Sequence, residues 1–300
     1  MPESAPVILL LGADGRVGHE LRRPLHELGE LTALGRSALD LRDEPALRDL
    51  VRQLAPDVIV NAAAYTAVDR AESEPEIAFA VNEAAPRALA EEAQRADARL
   101  VHYSTDYVFD GRQSAPYREE DRTNPLSVYG RSKRAGEVAV MGVSDRHVVL
   151  RTSWVFGVHG SNFLKTILRL AAERDHLRVV SDQIGAPTSA RQIAEVTCRV
   201  VERAIDRDAA FGGLLHLTAS GEVSWHAYAR HVIERARESG YELRATADSV
   251  EPIATAEYPT AAPRPANSRL STARLRTALD IQLRDWTDDV DQAIHALRPH

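Results

Sequence analysis

The stretch VILLLGADGRVG, Val7 to Gly18, constrains the fold more than any other part of this chain. Five apolar residues run directly into three glycines, Gly12, Gly15 and Gly18, and the following residues to Leu28 have helical spacing. A buried strand that turns at once into a helix is the opening unit of a doubly wound sheet, and glycine permits the tight turn between them. Glycine also leaves the helix N-terminus open, where exposed N–H groups and the helix dipole suit a pyrophosphate. The spacing is G-x-x-G-x-x-G rather than G-x-G-x-x-G, so the position after the first strand carries more weight than the pattern.

The rhythm that follows agrees with this start. Short apolar runs at Val7–Leu11, Leu31–Leu34, Asp57–Val60, Arg99–Tyr103 and His147–Thr152 alternate with helical stretches at Val17–Leu28, Pro45–Leu54 and Pro75–Arg95. Such alternation predicts right-handed crossovers and an α/β fold with a doubly wound, parallel (Rossmann) sheet. Past Trp154 the order becomes a helix over NFLKTILRLAAE, a strand LRVV, a helix from Thr188 to Ile205 and a strand at Leu214–Thr218. The proline-rich passage from Pro252 to Pro265 reads as an irregular connection. The expected division is a dinucleotide-binding domain over 1–157 and 188–220, with a smaller discontinuous C-terminal substrate-binding lobe over 158–187 and 221–300.

Composition narrows the function classes. A net charge of −7 with both signs scattered along the chain argues against a nucleic-acid footprint. No segment reaches the run of about 20 apolar residues that a membrane helix needs, and VILLLG is too short for a signal peptide. A cytoplasmic protein with no nucleic-acid or membrane partner is expected. Cys198 is the single cysteine, which excludes an internal disulfide and a cysteine-based metal cluster; helical spacing around it predicts a buried apolar thiol.

Where the second strand ends, the chain offers Gly35, Arg36 and Ser37 rather than the Asp or Glu that holds a ribose 2′-hydroxyl. An arginine there accommodates a 2′-phosphate, so NADPH is the expected cofactor, with NADH possible. Asp40 and Leu41 are placed to flank the adenine. After the third strand NAAAY, Asn61 to Tyr65, supplies small side chains where backbone can lie against a cofactor.

Tyr129 and Lys133 stand four residues apart in YGRSKRAGE, a spacing that puts both on one helical face. The chain has thirty-five arginines and two lysines, so a lysine here marks a place where a compact ammonium differs from a guanidinium. An ammonium about 4 Å from a phenol favours the phenolate by up to about 4 kcal/mol at an effective dielectric of 20. A phenol lowered in this way is the expectation. STDYVFDG follows the fourth strand, which sets Ser104, Thr105 and Asp106 at the sheet's carboxyl edge, with Thr105 able to hydrogen-bond a substrate oxygen.

With these motifs, GADGRVG, PDVIVNAAAYTAVDRAESEPE, VHYSTDYVFDG, NPLSVYGRSKRAGE, RTSWVFG, GSNFLKTILRLA, DQIGAPT, HLTASGEVSWHAYA and YPTAAPRPANSRL, the chain resembles the extended short-chain dehydrogenase/reductases. Within them it is similar, almost end to end, to the dTDP-4-dehydrorhamnose reductase family. The resemblance implies reduction of the C4 ketone of a dTDP-linked 4-ketosugar by hydride from NAD(P)H. It implies Tyr129 as proton donor, Lys133 as its partner and Thr105 as the residue that tunes it. Val68, Thr105, Asp106 and Trp154 are the implied substrate contacts, and Asn162, Phe163, Lys165 and Arg264 the candidates for the substrate's phosphates. The cofactor would lie against Gly12, Asp14, Gly15, Arg16, Val17, Arg36, Asp40, Leu41, Ala63, Ala64, Tyr65, Tyr129 and Lys133.

Two related chemistries lack their residues. Sugar-nucleotide 4,6-dehydratases carry an Asp-Glu pair where this chain has Asp106-Tyr107, and an epimerase-reductase would want a cysteine in the cleft, whereas Cys198 lies on a late helix. Some family members bridge dimers through Mg²⁺ on a carboxylate just after GAPT; Arg191 occupies that place, so no such metal or metal-bridged dimer is expected, and the oligomeric state stays open. The alternatives are a reductase of another nucleotide-linked 4-ketosugar and a non-catalytic partner-binding subunit, the role of the similar regulatory subunits of methionine adenosyltransferase.

Overall fold

The first strand, β1 (Val7–Leu11), is buried almost throughout, which is why it reads as a continuous apolar run rather than an alternating one. The computed structural model describes residues 5–206 and 211–298. From β1 the chain enters α1 (Arg16–Leu28), then β2 (Glu30–Leu34), α2 (Glu44–Leu54) and β3 (Val58–Asn61). Two short helices, α3 (Val68–Ala71) and α4 (Pro75–Phe79), lead through a π-helical stretch at Ala80–Ala84 into α5 (Ala85–Arg95). β4 (Arg99–Thr105), α6 (Val128–Val143) and β5 (Val148–Thr152) follow.

Local chemistry sets these boundaries. The Asp43 carboxylate accepts the Ala46 N–H at the start of α2, with Pro45 in its first turn, and the Ser127 hydroxyl accepts the Gly130 N–H at the start of α6. The five expected strands and the helices expected at Val17–Leu28 and Pro45–Leu54 form within two residues of those bounds, whereas Pro75–Arg95 is divided by the π-helical stretch. Strand β4 runs two residues beyond Tyr103, so Ser104 and Thr105 belong to the strand itself.

The second half begins with β6 (Val155–Phe156), α7 (Phe163–Glu173), β7 (Leu177–Val180), β8 (Ile184–Gly185) and β9 (Thr188–Ser189). Then come α8 (Ala190–Ile205), β10 (Gly213–His216), β11 (Val223–Ser224), α9 (Trp225–Glu238), β12 (Val250–Ile253), α10 (Ala273–Leu279) and α11 (Trp286–Ala296). The helix expected from Thr188 starts at Ala190, because Thr188 and Ser189 pair with Val155 and Phe156 and the Ser189 hydroxyl caps the helix.

Six parallel strands form the main sheet in the order β10-β5-β4-β3-β1-β2. Strand order reverses between β1 and β3, the switch point where a doubly wound sheet opens a crevice at its carboxyl ends. Register aligns those ends: Leu11 lies opposite Leu34 and Asn61, Asn61 opposite His102, and Thr105 opposite Thr152. One apolar cluster packs α1 and α8 on one sheet face, and another packs α2 and α5 on the other. A separate cluster joins α7, α9 and α11 with β7 and β12. Cys198 is buried in the first cluster, and burial pushes its thiol up to about 12, as expected for a small apolar core residue. Among the described residues no helix is long and apolar enough to cross a membrane.

Candidate active site

A cavity of about 720 Å³ opens at the switch point, lined by the glycine-rich turn, the ends of β2, β3, β4 and β5, and α6. Its floor is shaped by glycine. Gly12 adopts φ +76°, and a Cβ there would stand 2.5 Å from the Ala63 nitrogen; a Cβ on Gly18 would stand 2.0 Å from the Gly12 carbonyl oxygen. The turn therefore lies directly against the segment after β3. No side chain caps α1, and Gly15, Arg16 and Val17 at its start line the cavity.

The opposite wall is α6. Tyr129 is buried, edge-on to Tyr107 with ring centroids 5.5 Å apart. Burial pushes its phenol up to about 12; the Thr105 hydroxyl and Arg16 pull it down, and Asp106 pushes it further up. The expected lowering by Lys133 is not what the structure holds. The Lys133 ammonium turns instead to the Tyr103 carbonyl oxygen at 2.6 Å, and desolvation of the phenol outweighs the charges around it. Burial also brings the Lys133 amine down to about 8, against the opposing pull of Glu137.

Two residues that spacing did not reveal stand behind Lys133. Asn61 Oδ1 accepts the Ala63 N–H at 3.2 Å, which aims its Nδ2 at His102 Nδ1, also at 3.2 Å. These partners assign the His102 proton to Nε2, which faces Lys133 Nζ at 3.4 Å as a donor, so the ring packs beside the ammonium without accepting from it. Burial, with Lys133 beside it, holds the His102 imidazole well below its ordinary value and hence neutral. A third, Asn82 in the π-helical stretch, bonds the Tyr65 backbone through both ends of its amide and reaches the Ser132 hydroxyl. A histidine inside the wholly buried strand β4 was the one signal for this network.

The residues of STDYV behave as their position suggests. Thr105 Oγ1 donates to Asp106 Oδ1 at 3.1 Å and accepts the Tyr107 N–H at 3.2 Å. Burial raises the Asp106 carboxyl to about 6. Ser104 Oγ, Asp106 Oδ2, Thr152 Oγ1 and Ser153 Oγ are buried without a protein partner, and all four residues line the cavity. Buried polar atoms are rarely left so, and four along one wall point to a polar ligand. With the glycine cradle opposite, the residues fit a dinucleotide and a polar substrate side by side.

Gly12, Asp14, Gly15, Arg16, Val17, Arg36, Asp40, Leu41, Ala63, Ala64, Tyr65, Val68 and Trp154 also line this cavity. Trp154 holds φ +48°, a strained conformation for a bulky residue, and its indole stacks on Trp225 with centroids 3.5 Å apart. The four candidates for the substrate's phosphates lie outside the cavity lining. Asn162 caps α7 through the Lys165 N–H, Phe163 packs at a tilt against the Trp225 and Tyr228 rings, and Lys165 Nζ donates to the Val158 carbonyl at 3.0 Å. Arg264 pairs with Asp69 at 2.7 Å and lies over the ring of Tyr107, itself a lining residue. Arg191 pairs with Glu195 at 3.0 Å on α8.

Comparison with known proteins agrees with this geometry. The model of the RmlD substrate binding domain matches residues 6–298. The chain is similar to the dTDP-4-dehydrorhamnose reductase of Salmonella typhimurium, 45% identical over 283 residues, 93% of this chain and 94% of that protein. Its fold is similar to a dTDP-4-dehydrorhamnose reductase from Clostridium acetobutylicum, with TM-score 0.88, 33% identity and coverage of 97% and 99% of the two chains. It is also similar to the enzyme of that name from Bacillus anthracis in complex with NADP, with TM-score 0.86, 31% identity and coverage of 96% and 98%.

Proposed function

The chain belongs to the RmlD substrate binding domain family, and from that premise we propose that it reduces the C4 ketone of dTDP-4-dehydro-L-rhamnose to dTDP-L-rhamnose. It is an NAD(P)H-dependent dTDP-4-dehydrorhamnose reductase. The observation that carries the residue roles is that Thr105, Asp106, Tyr129 and Lys133 line one cavity with the glycine-rich turn.

When bound, NADPH supplies the hydride. The chain's own part is to orient the ketone, exclude water and deliver one proton. Tyr129 gives that proton to the oxygen as the carbonyl carbon gains its hydrogen. A phenol held near 12 is fully protonated at neutral pH, which is the state a donor needs. Thr105 would turn its hydroxyl proton from Asp106 Oδ1 to the same oxygen, and Lys133, anchored on the Tyr103 carbonyl, would hold the cofactor's ribose. Asp106 and Trp154 take the sugar ring, and Val68 the face towards the nucleotide. Of the four candidates for the diphosphate, Arg264 lies over the lining ring of Tyr107, whereas Asn162, Phe163 and Lys165 stand outside the lining and would have to leave their present contacts to reach it.

The proposal includes a dinucleotide-binding part over 1–157 and 188–220 with a substrate lobe completing the cleft. It places the enzyme in the cytoplasm with no nucleic-acid partner, and it includes no Mg²⁺-bridged dimer, position 191 being an arginine already paired with Glu195. The test is oxidation of NADPH and NADH with dTDP-4-dehydro-L-rhamnose and with other nucleotide-linked 4-ketosugars. Turnover with the dTDP-sugar above all others supports the reading. Turnover with a different carrier or sugar alone, or cofactor binding without turnover, replaces it with one of the two alternatives.

A further inference from the structure

One carboxylate in the cleft sits where the sequence pattern gave no acid. Position 35 directly follows β2, the place from which a side chain would reach the adenosine ribose, and it is glycine. A Cβ there would lie 1.7 Å from Asp14 Oδ2. The Asp14 side chain, rising from the glycine-rich turn, thus fills the space that a residue at 35 would occupy. The turn is tied to the same strand end, since the Ala13 N–H donates to the Leu34 carbonyl at 3.1 Å.

The partners of Asp14 leave this oxygen in place for a ligand. Arg22 takes Asp14 Oδ1 at 2.5 Å and the Ala13 carbonyl at 3.0 Å, which holds the carboxylate with Oδ2 over Gly35. The other acid nearby, Asp40, is chelated by Arg42 through both of its oxygens and is brought down to about 2 by that bond. Arg36 lines the cavity from the next residue along. An acceptor and a guanidinium therefore flank the same strand end.

We infer that Asp14, admitted by the missing side chain at Gly35, reads the adenosine ribose hydroxyls and, against Arg36, sets the balance between NADH and NADPH. The inference rests on the cofactor reading of the cleft. A carboxylate accepts from a 2′-hydroxyl and repels a 2′-phosphate, whereas the guanidinium does the reverse.

The test is titration of NADH and NADPH, without sugar, into wild type, Asp14→Ala, Arg36→Ala and Gly35→Ala, read by the change in nucleotide fluorescence. Loss of a hydrogen bond to a charged group predicts that Asp14→Ala weakens NADH roughly tenfold or more, while NADPH is retained or tightened. Arg36→Ala moves the ratio the opposite way. Gly35→Ala, whose methyl displaces only the end of the Asp14 side chain, repeats the Asp14→Ala shift in a chain that keeps the carboxylate. Binding of both nucleotides with an unchanged ratio in Asp14→Ala overturns the role of Asp14 alone, as does a Gly35→Ala ratio equal to wild type. A wild-type protein that binds neither nucleotide overturns the cofactor reading and the inference with it.

Discussion

Asp106 shows how a single residue gives up stability for a place in the cleft. Burial raises its carboxyl from 3.8 to about 6. Folding therefore favours the protonated acid; that contribution is complete below about pH 3.8 and is lost as pH rises through 6. Asp106→Asn removes a buried charge at neutral pH. Denaturant unfolding is expected to show the variant more stable than wild type at pH 7.5 by up to about 3 kcal/mol, with the gain vanishing near pH 4. An equal effect at both pH values would mean that desolvation of the carboxylate is not the cause. Tyr129 and Lys133 were legible because a lysine is so rare in this chain. The state of the phenol was not, because a four-residue spacing says nothing of where the ammonium points or how deeply the ring is buried. His102, Asn61 and Asn82 were equally hidden, since each acts through partners on other strands or helices.

At the scale of elements, the glycine-rich turn and the strand ends could be read directly, since periodicity and glycine act over a few residues. The tie between α6 and β5 could not. Arg151 binds Glu137 through paired hydrogen bonds of 2.7 and 2.8 Å, and both side chains are wholly buried one helical turn from Lys133. Arg134 adds a third contact to Glu137 at 2.9 Å. Their partnership depends on strand register, which places Arg151 opposite Ser104. Arg151→Met leaves the Glu137 charge buried with a single, half-exposed partner and is expected to cost roughly 3–5 kcal/mol in urea unfolding. Replacing both residues with apolar ones of similar volume is expected to cost less than the single change. If the double variant is instead the less stable by the sum of the two, the pair contributes more than its desolvation costs.

At the scale of the molecule, the account is of two walls meeting at the sheet's switch point. The glycine turn and the end of β2 form one wall, and α6 with the end of β4 forms the other. Trp154 and Trp225 stack on one another, and both line the cavity. The order of strands and helices in the first half was readable from the chain. How the later pieces interleave was not, because β6 pairs with β9 and β7 with β12 across long stretches of sequence. The central claim is that this arrangement serves one proton delivered from Tyr129. Its most direct measurement is the reduction of dTDP-4-dehydro-L-rhamnose by wild type and Tyr129→Phe, alongside NADPH affinity for each. General-acid catalysis predicts a fall in kcat of about 10²–10⁴-fold with NADPH binding retained; a Tyr129→Phe enzyme turning over at the wild-type rate would contradict it.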